Sequence, residues 1–339
     1  MPNDLASLGW DADFAAGYSR FDRPGQDPGR VARVDRGVCT VITTRGVVRA
    51  SLSGGVLAAA AADPFALPCV GDWVVVRAWP DDRLTLEALL PRRTAVVRNS
   101  AARDSHGQVL AANVDIAAVV EPLDPSPDSG RVERLLALAH SSGAEPLLIM
   151  TKADLVSRPG AVAAQLSESA PNVPVCVVSV VTGAGIDRLR SRIRNGLTMA
   201  LLGPSGCGKS SLVNALAGTT VMATRSPRAD LKGRHTTTYR ALVPLPGGGA
   251  VADTPGLRSV GLFDTGQGLA EAFADIEVLA QACRFTDCGH CGEPGCAVRA
   301  AVSSGDLPER RLMSWRGLRR EHALERRRQQ RRRAFERRR

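Results

Sequence analysis

The sequence predicts an α/β protein: a mostly parallel sheet covered by helices, preceded by a small all-β domain and followed by a helical region rich in Cys and Arg. Three observations predict it. From about residue 110 to 265, apolar runs alternate with helical patterns, the alternation that builds a parallel sheet with helices on its faces. Residues 31–95 are short β-branched runs separated by Gly, Pro and Asp, as in a small barrel or sandwich. Four of the eight Cys fall between Cys283 and Cys296, ahead of a run of arginines.

The elements follow in order. Residues 1–30 are rich in Gly, Pro and Asp and read as a loose leader. In residues 31–95 the strand runs are "VARVDRGVCTVITTRGVVRASL", "GDWVVVRAW" and "RLTLEALL", and "PRRTAVVRNSAA" then links onward. Residues 100–265 form the α/β domain. There "VDIAAVVEP" is a strand, and "RVERLLALAHSSG" is a helix with Gly143 near its end. "EPLLIMTKAD" and "VPVCVVSV" contain buried strands, and "GIDRLRSRIRNG" is a helix. "LTMALLGPSGCGKSSLVNALAG" reads as strand, loop and helix, and "GAVADTPGL" as a further strand and loop. Residues 268–282 are helical, so 268–339 forms a last unit that ends in a basic helical tail. There is no internal repeat, and "RRRQQRRRAFERRR" is the only low-complexity stretch.

Composition narrows the class. The 339 residues suggest two or three domains. An apolar share of 44% is ordinary for a soluble globular protein. No apolar run reaches the roughly 18 residues of a membrane span. The N-terminus carries acids and no apolar core, unlike a secretory signal, so a cytoplasmic protein is expected. The net charge of +10 is concentrated. From Arg310 to Arg339 there are 14 Arg, no Lys and three Glu, a balance of +11 that leaves −1 for everything before it. Such a run points to an acidic partner, most often nucleic acid; its bland counterpart is a solvated helix without a specific partner.

The chemistry lies in a few short stretches. "GPSGCGKSS" comprises Gly203, Pro204, Ser205, Gly206, Cys207, Gly208, Lys209, Ser210 and Ser211. Its glycines let the backbone N–H groups curl toward phosphate oxygens, and the following helix adds its positive end. Lys209 would reach the β/γ-phosphates and the Ser210 hydroxyl would ligate Mg²⁺. In "ADTPG", Asp253 ends a strand, where an acid holds Mg²⁺ through water, and Gly256 would bring its N–H to the γ-phosphate. "TKAD" comprises Thr151, Lys152, Ala153 and Asp154. The Asp154 carboxylate can accept two hydrogen bonds from guanine N1–H and N2–H₂, which adenine cannot offer, while the Lys152 stem would cover the base face. Ser179 and Val180 in "SVVTGAG" would contact the base through their backbone. "GRHTTT" is a polar loop in which Thr237 is the candidate to complete the Mg²⁺ shell.

Clustered Cys in a cytosolic chain points to metal rather than disulfide. Cys283, Cys288, His290 and Cys296 give the spacing C-x4-C-x-H-x5-C, the ligand set of a closed, structural, tetrahedral Zn²⁺ site. Cys291 is an extra thiol that could compete as fourth ligand. The other four Cys read as small buried hydrophobes.

The nucleotide pieces resemble the Ras-like GTPase set, but in the order base triplet, base loop, phosphate loop, switch, Asp-x-x-Gly. The domain therefore looks like a circularly permuted P-loop GTPase. Its second switch comes last, joined directly to residues 270–339, so those residues can feel the nucleotide state. Thr151 departs from the usual Asn but keeps a hydroxyl that can tie this loop to the phosphate loop. Leu257 stands where many such enzymes carry the Gln that orients water.

Together with the β domain and the Cys₃His cluster, residues 31–320 resemble the RsgA (YjeQ) family of ribosome small-subunit-dependent GTPases. The matching stretches are "VGDWV", "NVD", "TKAD", "GPSGCGKSS", "GRHTTT", "DTPGLR" and "CRFTDCGH…EPGC". The resemblance implies an OB-fold for the β domain and GTP/GDP as ligand. It also implies binding to 16S rRNA on the small (30S) subunit late in its maturation, and slow GTP hydrolysis accelerated by that subunit. His235 matches the family's histidine proposed to position water. A monomer is expected. The competing readings are a nucleotide-gated RNA-binding module with incidental hydrolysis, and a sensor stalled by other guanine nucleotides.

Overall fold

The computed structural model describes residues 4–99, 107–194, 196–222, 240–254, 261–262 and 265–336. The expected loose leader is instead part of the core. Helix α1 (Ala12–Tyr18) is capped by the Asp11 carboxylate, which accepts from the N–H groups of Asp13 and Phe14 at 3.1 Å. Leu5, Leu8, Phe14 and Tyr18 are buried. The reason is an aromatic one. Trp73 lies on the barrel's outer face, and Trp10 and Phe14 cover it at centroid distances of 4.9 and 5.6 Å. The first strand accordingly begins at Gln26 rather than at 31.

Strands β1 (Gln26–Asp35), β2 (Val38–Thr43) and β3 (Gly46–Leu52) form a meander, followed by helix α2 (Gly54–Ala62) and by β4 (Trp73–Ala78) and β5 (Leu84–Leu89). β1 pairs with β2 and β4, β2 with β3, β3 in parallel with β5, and β5 with β4. The five strands close on themselves, as an OB-like barrel does, and leave no free edge. Val31, Val41, Val74, Val76 and Leu86 fill the interior and Val56 of α2 packs with them.

The stretch read as a linker contains a strand, β6 (Ala95–Asn99), which pairs antiparallel with β7 (Gly107–Ala112). The α/β sheet follows. Its elements are β8 (Ile116–Pro122), α3 (Ser129–His140), β9 (Glu145–Thr151), α4 (Pro159–Ser167), β10 (Val175–Val177), α5 (Ile186–Ser191), β11 (Thr198–Leu202), α6 (Lys209–Ala217), β12 (Ala241–Pro244) and β13 (Ala250–Asp253). The spatial order is β10-β9-β8-β11-β13-β12, parallel except for β12. β8 and β11 are buried at every position, which explains their unbroken apolar runs. Among the described residues, the pairing of Arg33 with Ala241 joins this sheet to the barrel.

A two-residue strand, β14 (Gly261–Leu262), adds to the hairpin at Asn99 and Arg98. Helices α7 (Gly266–Ala272), α8 (Ala274–Ala280), α9 (Ala297–Ser304) and α10 (Glu309–Glu336) complete the chain. α10 buries Leu312, Trp315 and Leu318 along one stripe. Its third residue enters the core as an ion. Arg311, 1% exposed, donates to Glu133 Oε1 of α3 at 3.1 Å, to both carboxylate oxygens of Asp275 at 2.5 and 2.7 Å, and to the Ala272 and Ser169 carbonyls. Arg310 reaches the same Glu133 oxygen at 3.1 Å. Two cations of the basic tail thus act as internal partners of a fully buried acid. No helix among the described residues is long and apolar enough to cross a membrane.

Removing one partner of a buried pair strands the other, so Arg311→Ala is expected to cost about 3 kcal/mol or more of stability. Arg310→Ala, whose side chain is 48% exposed, should cost less than about 1 kcal/mol. Urea midpoints of the two variants check this ordering.

Candidate functional site

The C-terminal ends of β9, β10, β11 and β13 lie at one end of the sheet, where open α/β sheets bind ligands. The phosphate-loop glycines are dictated locally. At Gly203 a Cβ would stand 2.4 Å from the Val120 carbonyl oxygen of β8, so no side chain fits. Gly206 and Gly208 have φ of +83° and +99°, which only glycine adopts without strain. Helix α6 begins at Lys209, directing its unpaired N–H groups into the loop. Lys209 is buried, and its Nζ donates to the carbonyls of Gly203 and Pro204 at 2.9 and 2.8 Å. Ser205 is exposed at the loop's tip and Ser211 half-buried in the first helical turn. Cys207 is buried, and burial pushes its thiol up.

Across the loop, Ser210 Oγ donates to Asp253 Oδ2 at 3.3 Å. Asp253 is 4% exposed and burial raises its carboxyl above the usual range. Its Oδ1 is buried without a partner among the described residues. An unpaired buried carboxylate oxygen beside a hydroxyl fits a hydrated Mg²⁺, whose waters supply the missing donors.

The base triplet lies at the end of β9, separated from β11 by β8. Thr151 Oγ, buried at the end of β9, donates to the Cys207 carbonyl at 2.6 Å. The hydroxyl therefore makes the tie between the two loops that the sequence allowed. Asp154 is exposed, and its Oδ1 accepts from Ser179 Oγ at 2.5 Å. Ser179 is itself fixed, with its hydroxyl accepting from Thr182 N–H at 3.1 Å and its amide donating to the Ala184 carbonyl at 2.9 Å. Ala153 N–H donates to the Val178 carbonyl, which binds the triplet to the base loop, and Val180 packs half-buried against the core beneath. Lys152 has φ of +59°, and its Nζ donates to the Asp124 carbonyl at 3.0 Å. His235, Thr237, Gly256 and Leu257 lie outside the described residues.

Cys283, Cys288, His290 and Cys296 form a second centre, with their ligand atoms within 4.8 Å of one another. His290 Nδ1 lies 3.6 Å from Cys283 Sγ and 3.4 Å from Cys296 Sγ, and those two sulfurs are 3.9 Å apart. A tetrahedral zinc with its usual bond lengths sets edges of about 3.5–3.8 Å, so the four residues fit one. Cys291 is exposed, bonded to the Gly289 carbonyl, and outside the group. Sequence reasoning missed Glu293. Its carboxylate accepts the N–H groups of Gly289, Cys291 and Gly292 at 2.9, 2.6 and 3.1 Å, and backbone donors, its own first, hold it down to about 2. Its signal was an acid inside a glycine-rich turn. Trp315 of α10 packs on the His290 ring at 5.2 Å.

A family model described as RsgA GTPase matches residues 89–263. A small ribosomal subunit biogenesis GTPase RsgA of Streptomyces coelicolor is 50% identical over 322 residues, covering 94% of this chain and 86% of its own. One of the same name from Opitutus terrae is 41% identical over 330 residues, covering 94% of this chain and 90% of its own. Among solved structures, YjeQ from Thermotoga maritima superposes with a TM-score of 0.60 at 26% identity, covering 86% of this chain and 96% of that one. YloQ, described as a circularly permuted GTPase, gives 0.59 at 24% and supports the fold.

The Thr151–Cys207 bond joins base loop to phosphate loop, so its loss should be felt by the whole nucleotide. Thr151→Val is expected to weaken GTP and GDP binding about tenfold, and Thr151→Ser to restore it. Equilibrium titration with a fluorescent guanine nucleotide measures both.

Proposed function

The chain belongs to the RsgA GTPase family, whose members hydrolyse GTP, and from that premise we propose that it acts in late maturation of the small ribosomal subunit, binding 16S rRNA and hydrolysing GTP to GDP faster on the subunit. The observation that carries the nucleotide part is the convergence of the Gly203–Ser211 loop, Asp253 and Asp154 at adjoining strand ends. The relatives' shared name supports the partner. The closed OB-like barrel and the arginine-rich α10 offer surfaces suited to RNA. The reading places a monomer in the cytoplasm, where the subunit matures.

The residues then take these roles. Asp154, held by Ser179, accepts the guanine N1–H and N2–H₂. Ala153, Ser179 and Val180 line the base loop, and the Lys152 stem covers the base face. The N–H groups of the phosphate loop surround the phosphates, and Lys209 exchanges the Gly203 and Pro204 carbonyls for β/γ-oxygens. Ser210, Asp253 and Thr237 would hold Mg²⁺, which when bound neutralises developing phosphate charge. Leucine at 257 cannot orient water, so we assign that task to His235 in the switch loop. Cys283, Cys288, His290 and Cys296 would hold one Zn²⁺ that crosslinks the loop before α9.

Leu257 is also what favours the second reading, an RNA-binding module in which hydrolysis is incidental. One assay separates the two: GTP turnover with and without small subunits, with large subunits as control. Strong stimulation by small subunits alone is the expected result, and binding of GTP without stimulation would move the conclusion to the second reading. His235→Ala should keep GTP affinity and lose the stimulated turnover; normal stimulation in that variant would remove His235 from the mechanism.

Metal content tests the other centre. Elemental analysis should find about one zinc per chain in the wild type and in Cys291→Ser, and close to none in Cys288→Ser.

A further inference from the structure

Strand β8 ends in an acid that burial alone would exclude. Glu121 is fully buried, in a strand otherwise built of Ile, Ala, Val and Pro. A carboxylate at that depth persists only with donors on its oxygens. Oε1 accepts from Asp128 N–H at 3.0 Å and from Arg131 Nη2, and Oε2 accepts from Arg131 Nε at 3.1 Å. Arg131 N–H and Nη1 in turn donate to the Asp128 carboxylate, the N-cap of α3, at 3.0 and 3.4 Å.

This arrangement fixes the far end of the loop 123–128, which is largely exposed after Leu123. The near end is fixed by Leu123 N–H donating to the Thr151 carbonyl at 2.9 Å. Between the two anchors, Asp124 presents its backbone carbonyl to Lys152 Nζ at 3.0 Å. The left-handed backbone at Lys152 sets where its stem starts, and this carbonyl sets where its amine ends.

We infer that Glu121 and Arg131 are positioning residues for the nucleotide base: they hold the 123–128 loop so that the Asp124 carbonyl keeps Lys152 extended along the base face beside Asp154. The inference rests on the base-site reading of Lys152 given above. A purely structural role explains less. Asp128 caps α3 by itself, and an apolar residue at 121 would keep the strand buried without desolvating an ion pair. What the pair adds is a fixed loop against a lysine that would otherwise sample many rotamers.

A double-mutant cycle tests this on the full-length protein, reading GDP affinity with a fluorescent GDP and KM and kcat with GTP. Arg131 is the better target, because its side chain is 35% exposed and Glu121 has none exposed. Arg131→Met should weaken GDP binding about fivefold and Lys152→Met about tenfold, with the double variant no weaker than Lys152→Met, because the two act in series. The Arg131→Met loss should fall on KM rather than kcat. Glu121→Gln, which keeps an acceptor for the Asp128 amide, should show the same non-additivity with Lys152→Met. Independent, additive losses would overturn the inference while leaving Lys152 in the base site. Wild-type GDP affinity in Lys152→Met would overturn both.

Discussion

Strand β11 lies between β8 and β13, and the candidate site of the α/β domain is placed by the parallel pairing that runs from β10 through β9, β8 and β11 to β13. Met199 pairs with Ile116 on one side and Val251 on the other, though these residues are far apart along the chain. Strand ends fall level because parallel registers are fixed by buried side chains on both faces. The phosphate loop leaves β11 with the Val120 carbonyl beneath Gly203, Asp253 at its side, and Thr151 one strand beyond. A permuted chain order costs nothing in this geometry, since strand neighbours, not sequence neighbours, build the site.

The same principle joins the C-terminal region to the sheet. Glu133 on α3 is buried and needs cations, and the chain supplies them from the first turn of α10. A charge run that looks like a surface feature therefore begins inside the protein. Trp315, four residues on, packs against His290 of the Cys₃His cluster. The proposed metal centre, the helix and α3 thus share one packed unit, and α7 packs against α3 and α10 within it.

Where sequence reading failed, the missing information was non-local. The leader looked loose because its Gly, Pro and Asp hid the Trp10–Phe14 pair, whose purpose is visible only once Trp73 faces outward. The 91–102 stretch looked like a linker because the partners of its strand β6 are β7 and β14, the latter some 160 residues later. Glu293 and Glu121 were visible as acids in unusual places, but their partners are backbone amides and an arginine brought close by folding.

By itself the sequence determined the parallel α/β class, the phosphate loop, the base triplet, the permuted order and the Cys₃His group. Each is set by local rules: glycines where the backbone turns sharply, apolar runs for buried strands, and thiolate spacing for one tetrahedral centre. Only the tertiary structure decided that Cys291 stands outside that group, that Thr151 bonds the Cys207 carbonyl, and that Arg311 is an internal ion. Spacing along a chain limits which groups can meet. Which of them do meet is settled by burial, because a polar atom taken out of water must take the nearest partner that packing provides.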